Sequence, residues 1–241
     1  VTSAIIPRKS IADISDRALL IASVVCSLLY FIHPIVNLPH LLVVILKTLS
    51  VSLLSVAAFR QMKGTAKYLL TTALLLSSLG DFFLALREEK YFVFGLLAFL
   101  TAHLVYIMLF WQVMRLKPSS ANAAQKVLIG VIVTCSAAMC WWLLPVPDGL
   151  TVPVAVYLAI ITLMVLSAIL AGKSSWLTPV GAILFMLSDS LIALSRFKHL
   201  IGGLPAHLMI WSLYYIAQYL IFRGVINYVA DVTRWRINQR T

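Results

Sequence analysis

Eight apolar runs, each about 20 residues long, constrain this chain more than any other feature of it. They fall at about 18–36, 38–59, 66–86, 91–114, 126–144, 151–171, 175–195 and 204–229, separated by short polar or proline-bearing junctions. An α-helix rises 1.5 Å per residue, so a run of that length crosses the hydrocarbon core of a bilayer. Hydrophobic residues make up 62% of the 241 and charged ones only 11%. A soluble domain of this size cannot hide that much apolar surface, whereas lipid solvates it. A transmembrane barrel would show short alternating segments instead. The expectation is an all-α, polytopic membrane bundle of eight transmembrane helices.

The remaining charges sit at the ends of the runs. Arg8, Lys9 and Arg17 share one side with the 2–3 junction (Arg60, Lys63, Lys67) and the 4–5 junction (Arg115, Lys117, Lys126). Lys173, Arg223, Arg234, Arg236 and Arg240 join them, fourteen in all, against Arg87, Lys90, Arg196 and Lys198 opposite. Lys and Arg collect on the cytoplasmic side, so both termini are expected there. The same placement accounts for the net charge of +11 without a nucleic-acid partner. A count of this kind suits a bacterial inner membrane and the endoplasmic reticulum equally.

Residues 1–17 read as a polar, cytosolic lead-in, 18–229 as one eight-helix domain and 230–241 as a basic tail. No cleavable signal peptide is evident, and the absence of an initial methionine suggests a trimmed N-terminus. Cys26, Cys135 and Cys140 all fall inside spans. An odd, membrane-buried set offers neither a disulfide framework nor metal-ligand spacing.

Set into this apolar background is Leu76-Ser-Ser-Leu-Gly-Asp81-Phe-Phe-Leu-Ala-Leu86. A second copy, Leu184-Phe-Met-Leu-Ser-Asp189-Ser-Leu-Ile-Ala-Leu194, follows at an offset of 108 residues. Five of the eleven aligned positions are identical, the aspartate among them. An ionisable group at membrane depth is costly unless paired or wetted, and so marks a functional site by default. Two in matching places suggest that the fold brings Asp81 and Asp189 together. The plainer alternative is a pair of interhelical contacts that only hold the bundle. The same offset aligns Gly95 with Gly203 and Tyr106 with Tyr214, which suggests a four-plus-four parallel pseudo-repeat. Lys47 aligns with Ala155 and His103 with Trp211, so the two halves differ in their polar equipment.

Other polar groups lie at comparable depth. Lys47 is mid-span, where it cannot snorkel easily, and the two aspartates are its only intramembrane carboxylate candidates. Steps of four, four and three put Gly95, Phe99, His103 and Tyr106 on one helical stripe. Span eight adds Tyr214, Tyr215 and Gln218, of which Tyr214 or Tyr215 shares a face with Gln218. Ser77, Ser78, Ser188 and Ser190 are close enough in sequence to hydrogen-bond the acids. His33, His40, His199 and His207 lie near span ends and read as interfacial. Two carboxylates in different environments can divide the roles of acid and base. No zinc-protease motif, P-loop, nucleophile elbow or dinucleotide fingerprint is present, so neither a cofactor nor a metal is expected. A small proton-coupled transporter shares several of these features. The few glycines and prolines inside spans three and seven leave it no broken-helix site. A non-catalytic lipid-binding protein is a third reading.

Five stretches, taken in order, resemble the lysoplasmalogenase (YhhN-like) family of eight-span membrane proteins. They are Lys47, Leu79-Gly80-Asp81-Phe-Phe-Leu, Tyr91 through Gly95 and Phe99 to His103 and Tyr106, Gly181 through Ser188-Asp189 to Leu194, and Tyr214-Tyr215-Ile-Ala-Gln218. The resemblance implies hydrolysis of the vinyl-ether bond of lysoplasmalogens to a fatty aldehyde and a glycerophospho-alcohol, with a lysophospholipid substrate amid membrane lipids. It suits the residues, because vinyl-ether cleavage needs a positioned acid, an anion beside the resulting cation and a base for water, as in glycoside hydrolysis. On that basis Asp189 is expected as acid and Asp81 as ionised base, with the reverse order open. Lys47 would hold one of them ionised, while Ser188, His103, Tyr106, Tyr214, Tyr215 and Gln218 would position groups around them.

Overall fold

A computed structural model describes residues 8–86, 88–114, 121–147, 149–171 and 176–239. Its elements are α1 (Arg8–Val36), α2 (His40–Gln61), α3 (Gly64–Ala85), α4 (Lys90–Gln112), α5 (Ala123–Leu143), α6 (Thr151–Leu170), α7 (Leu177–Lys198) and α8 (Gly203–Asn238). All eight are long and apolar enough to cross a membrane. The chain is a multi-pass integral membrane protein. Arg87, Arg115, Lys117, Lys173 and Arg240 lie outside the described residues, as do residues 1–7 and the side chains of Arg8, Lys9 and Arg236. The topology that their charges imply is therefore read from sequence alone.

Local signals set the helix ends. Pro39, which cannot donate a backbone hydrogen bond, stands just before α2. At the start of α5 the Asn122 side chain accepts from the Gln125 N–H at 2.8 Å, and the Gln125 side chain accepts from the Asn122 N–H at 3.1 Å. That reciprocal capping box satisfies two donors left over by the first helical turn. His199, in the left-handed region at φ 52°, ends α7 and turns the chain toward α8. Where described, the lead-in and the tail continue α1 and α8 as helix.

The centre of the bundle is built from α2, α3, α4, α6, α7 and α8, while α1 and α5 pack at its periphery. Small residues allow the close approaches, as is usual where lipid removes a hydrophobic drive between helices. A Cβ on Gly80 of α3 would stand 2.5 Å from the Phe99 ring of α4. One on Gly181 of α7 would stand 2.8 Å from the Ala217 carbonyl oxygen of α8. Large apolar side chains such as Ile21, Leu41 and Val152 face outward, where the bilayer solvates them. Trp111, Trp141, Trp142 and Trp176 stand exposed near helix ends, as in an interfacial aromatic belt.

Candidate active site

Asp81 sits on the last turns of α3 and is 1% exposed. Lys47 reaches it from α2, with Nζ 3.7 Å from Oδ1. Tyr214 reaches it from α8, its hydroxyl donating to Oδ2 at 2.6 Å. Both carboxylate oxygens are therefore engaged, one by a cation and one by a phenol. The Lys47 ammonium also lies 5.7 Å from the centre of the Tyr30 ring, within reach of a cation–π contact. A buried ion pair is tolerated only when geometry and added hydrogen bonds offset its desolvation. Asp81 meets that condition.

Asp189 sits at the corresponding place on α7. The Tyr157 hydroxyl, from α6, donates to Oδ2. His103 Nε2, from α4, is 3.4 Å from the same oxygen and 3.0 Å from the Tyr157 hydroxyl. Since the one phenolic proton goes to Asp189, the Tyr157 oxygen is left to accept, and Nε2 of His103 is the donor to it. Oδ1 makes no hydrogen bond among the described residues. His103 Nδ1 and Gln218 Nε2 are buried without a partner among the described residues, and such atoms are where ordered water is usually held.

The two aspartates occupy neighbouring sites rather than a shared one. The Phe185 ring packs edge-on against His103 at 4.8 Å and against Tyr214 at 5.3 Å, so a single aromatic side chain separates the two sets of partners. Phe99 closes the same wall, 6.0 Å from Phe185 and 5.7 Å from Tyr214. A narrow slot of about 50 Å³ is lined by Asp189, Tyr157, Leu96, Leu158 and Met186. Beside it, at the ends of α3, α4 and α7, is a polar cavity of about 450 Å³ bordered by Lys47, Ser195, Arg196 and His199. Asp189 borders the slot and Lys47 the polar cavity. Asp81 lies behind Lys47 and borders neither.

Residues 42–225 match the model of the YhhN family. The chain belongs to that family. It is similar to a Mycobacterium bovis protein named lysoplasmalogenase, 36% identical over 173 residues that make up 71% of this chain and 66% of that protein. It is also similar to human lysoplasmalogenase TMEM86A, 31% identical over 178 residues, 69% of this chain and 68% of that one. Human lysoplasmalogenase TMEM86B is 35% identical over 160 residues, 66% of this chain and 63% of that one. The matched stretch thus spans just under two thirds of the mycobacterial protein. No solved structure matches the chain.

In this YhhN protein the residues singled out in the sequence separate into three groups. Lys47, Asp81 and Tyr214 meet directly, and so do His103 and Asp189. Tyr106 and Gln218 form a buried pair, the hydroxyl donating to Oε1 at 2.6 Å, one helical turn below His103 and Tyr214. Tyr215 and Ser188 point elsewhere. The Tyr215 hydroxyl is 2.7 Å from Ser23 of α1, and Ser188 donates to the Ile210 carbonyl at 3.0 Å, tying α7 to α8. Ser77 and Ser190 donate back to carbonyls of their own helices, at 2.9 and 2.8 Å, and Ser78 donates to the Thr48 carbonyl of α2. Three of the four interfacial histidines also have partners: His33 and His207 pack on each other at 4.6 Å, and His40 Nε2 is 3.0 Å from the Ala85 carbonyl, while His199 borders the polar cavity.

Tyr157 and Phe185 were missed in the sequence. Tyr157 had a readable signal, as the only aromatic side chain in α6, two positions after the residue that aligns with Lys47. Phe185 had none, because one more aromatic residue in an apolar span is indistinguishable from packing.

Proposed function

We propose that this protein hydrolyses the vinyl-ether bond of lysoplasmalogens, releasing a fatty aldehyde and a glycerophospho-alcohol. Two supports meet here: the names carried by its relatives, and a carboxyl group poised beside an apolar slot. The position of Asp189 carries the reading. One oxygen is held by Tyr157 beside His103, the other is uncommitted, and the residue borders a slot walled by aliphatic side chains.

The protonated Asp189 carboxyl gives its proton to the β-carbon of the vinyl ether, and the π electrons form the new C–H bond. The α-carbon becomes an oxocarbenium ion beside the Asp189 carboxylate, which stabilises it electrostatically. Water attacks the α-carbon while Asp189 takes back a proton. The resulting hemiacetal breaks its bond to the glycerol oxygen. The hydroxyl proton passes to that oxygen, leaving aldehyde and alcohol. One water is consumed and Asp189 ends as it began. Tyr157 and His103 hold the carboxyl in place throughout, as second groups do for catalytic acids.

Asp81 takes a supporting part in this scheme. With both oxygens occupied and no border on either cavity, it acts through Lys47, fixing the ammonium at the polar end of the site. The sequence leaves open which aspartate is acid and which serves the water. The geometry favours Asp189 for both proton steps.

The test is aldehyde release from an alkenyl lysophospholipid by detergent-purified protein. Wild type is expected to release aldehyde and Asp189→Asn to release it roughly 10³-fold more slowly while eluting as the same folded species. Wild-type-like turnover by Asp189→Asn would falsify the assignment.

A further inference from the structure

Three cavities lie end to end along α7, and their chemistry changes in order. The first is the polar cavity of about 450 Å³, with Arg196 and Lys47 on its wall. Arg196 is held there by Glu89 and lies over the Phe92 ring, 4.8 Å from its centre. A guanidinium fixed by a stacking contact keeps donors free for a planar or tetrahedral oxyanion. This cavity shares Leu84, Phe92 and Ile192 with the slot that contains Asp189. The slot in turn shares Leu158, Ile161, Met186 and Ser190 with a third space of about 210 Å³ between α5, α6 and α7. That cleft borders the exposed Cys135 of α5, the most loosely packed helix, and the exposed Leu187 of α7.

Resting on the hydrolase reading above, we propose that these spaces form one substrate track. The phosphodiester binds in the Lys47–Arg196 cavity, the vinyl ether lies at Asp189, and the hydrocarbon chain passes Leu158 and Ser190 into the α5–α6–α7 cleft, whose outer end meets lipid. The order cationic, carboxyl, apolar matches the order of groups along a lysophospholipid. Arg196 and Asp189 are seven residues apart on α7, about 10 Å along its axis. An extended arginine side chain and a glycerol backbone span that together. The slot is too small to hold a long chain by itself, so such a chain must continue into the cleft. The peripheral α5 thereby acquires a use: it is the outer wall of the chain passage.

The experiment compares a hexadecenyl with a butenyl lysophospholipid on the full-length protein in detergent. Leu158→Trp fills the junction between slot and cleft. Ser190→Phe does so from α7, and Ser190 hydrogen-bonds only its own helix, so its loss breaks no contact between helices. Each is expected to lower the long-chain to short-chain ratio of kcat/KM by roughly tenfold or more, the scale on which hydrophobic pockets discriminate. Arg196→Gln, at a partly exposed side chain, is expected to raise KM for the alkenyl glycerophospholipid roughly tenfold. It should leave KM for an alkenyl glycerol without phosphate unchanged. An unchanged chain-length ratio in a folded plug variant, or an equal effect of Arg196→Gln on both substrates, overturns the track while wild-type turnover leaves the hydrolase reading intact. Should both plug variants fail to fold, the Arg196→Gln comparison decides. No aldehyde from wild type with any alkenyl substrate overturns both.

Discussion

Asp81 and Asp189 stand on one plan with different equipment. Each lies near the end of a helix that starts at a junction on the same side of the bundle, and each takes its partners from two helices. Asp81 on α3 is met from α2 and α8, and Asp189 on α7 from α6 and α4. Under the 108-residue offset α2 corresponds to α6 and α8 to α4, so the two layouts are equivalent. The side chains are not. A lysine and a tyrosine saturate both oxygens of a carboxylate that is fully enclosed, whereas a tyrosine and a histidine hold one oxygen of a carboxylate bordering a slot. Ion pairing makes the first site a fixed electrostatic anchor. The uncommitted oxygen leaves the second one free to meet a substrate in the proposed mechanism. Under the proposed mechanism, the first site positions and the second carries the chemistry.

The comparison breaks most sharply at the acids. Asp189→Asn should lower kcat for aldehyde release by roughly 10³-fold, within the range of general acid catalysis, with no loss of folded protein by size-exclusion chromatography. If Asp81→Asn produced an equal loss with KM unchanged, the two carboxylates would be partners in the chemistry and the division of roles would fail. Stability gives the next largest effect. Lys47→Met leaves an unpaired buried carboxylate and should cost about 3–5 kcal/mol, read as a lowered Tm in detergent. The double variant Lys47→Met/Asp81→Leu should regain most of it. Additive losses instead would mean that the pair does not hold the anchor.

Smaller effects sharpen the contrast between the phenols. Tyr157→Phe should lower kcat by roughly 10²-fold, because it frees the Asp189 carboxyl from its orienting donor. Tyr214→Phe should be felt mainly in Tm, by about 1–3 kcal/mol for a buried acceptor left short of a donor. A reversal of those two patterns would exchange the roles of the sites. On the same scale, Gly80→Ala should cost about 1–3 kcal/mol through overpacking against Phe99. Its effect on kcat should follow only from displacement of the wall between the sites.

Much of this was legible in one dimension. Run length alone located all eight helices, since the bilayer demands about 20 apolar residues per span. Asp81, Asp189, Lys47 and His103 stood out for the same reason: an ionisable group in hydrocarbon is expensive and rare, so its presence carries information. The cheap groups carried less. Ser188 and Ser190 flank Asp189 in sequence, yet one bonds α8 and the other its own helix. Tyr215 neighbours Tyr214 but sits about 100° round the helix, and it meets α1 instead of a carboxylate. Tyr157 belongs to the site although its helix drew no attention.

From sequence alone came the number of spans, the side on which the basic residues collect, the repeated aspartate and the family. Each depends on composition and spacing along one chain, and an apolar solvent makes those constraints severe. Which partner each aspartate meets was decided by the rotation and depth of helices about their neighbours. Gly80 against Phe99 and Gly181 against Ala217 set how closely those helices approach. Only that packing enclosed Asp81 behind Lys47 and left Asp189 beside open space, because exposure is a property of neighbours and no residue carries it in its own identity.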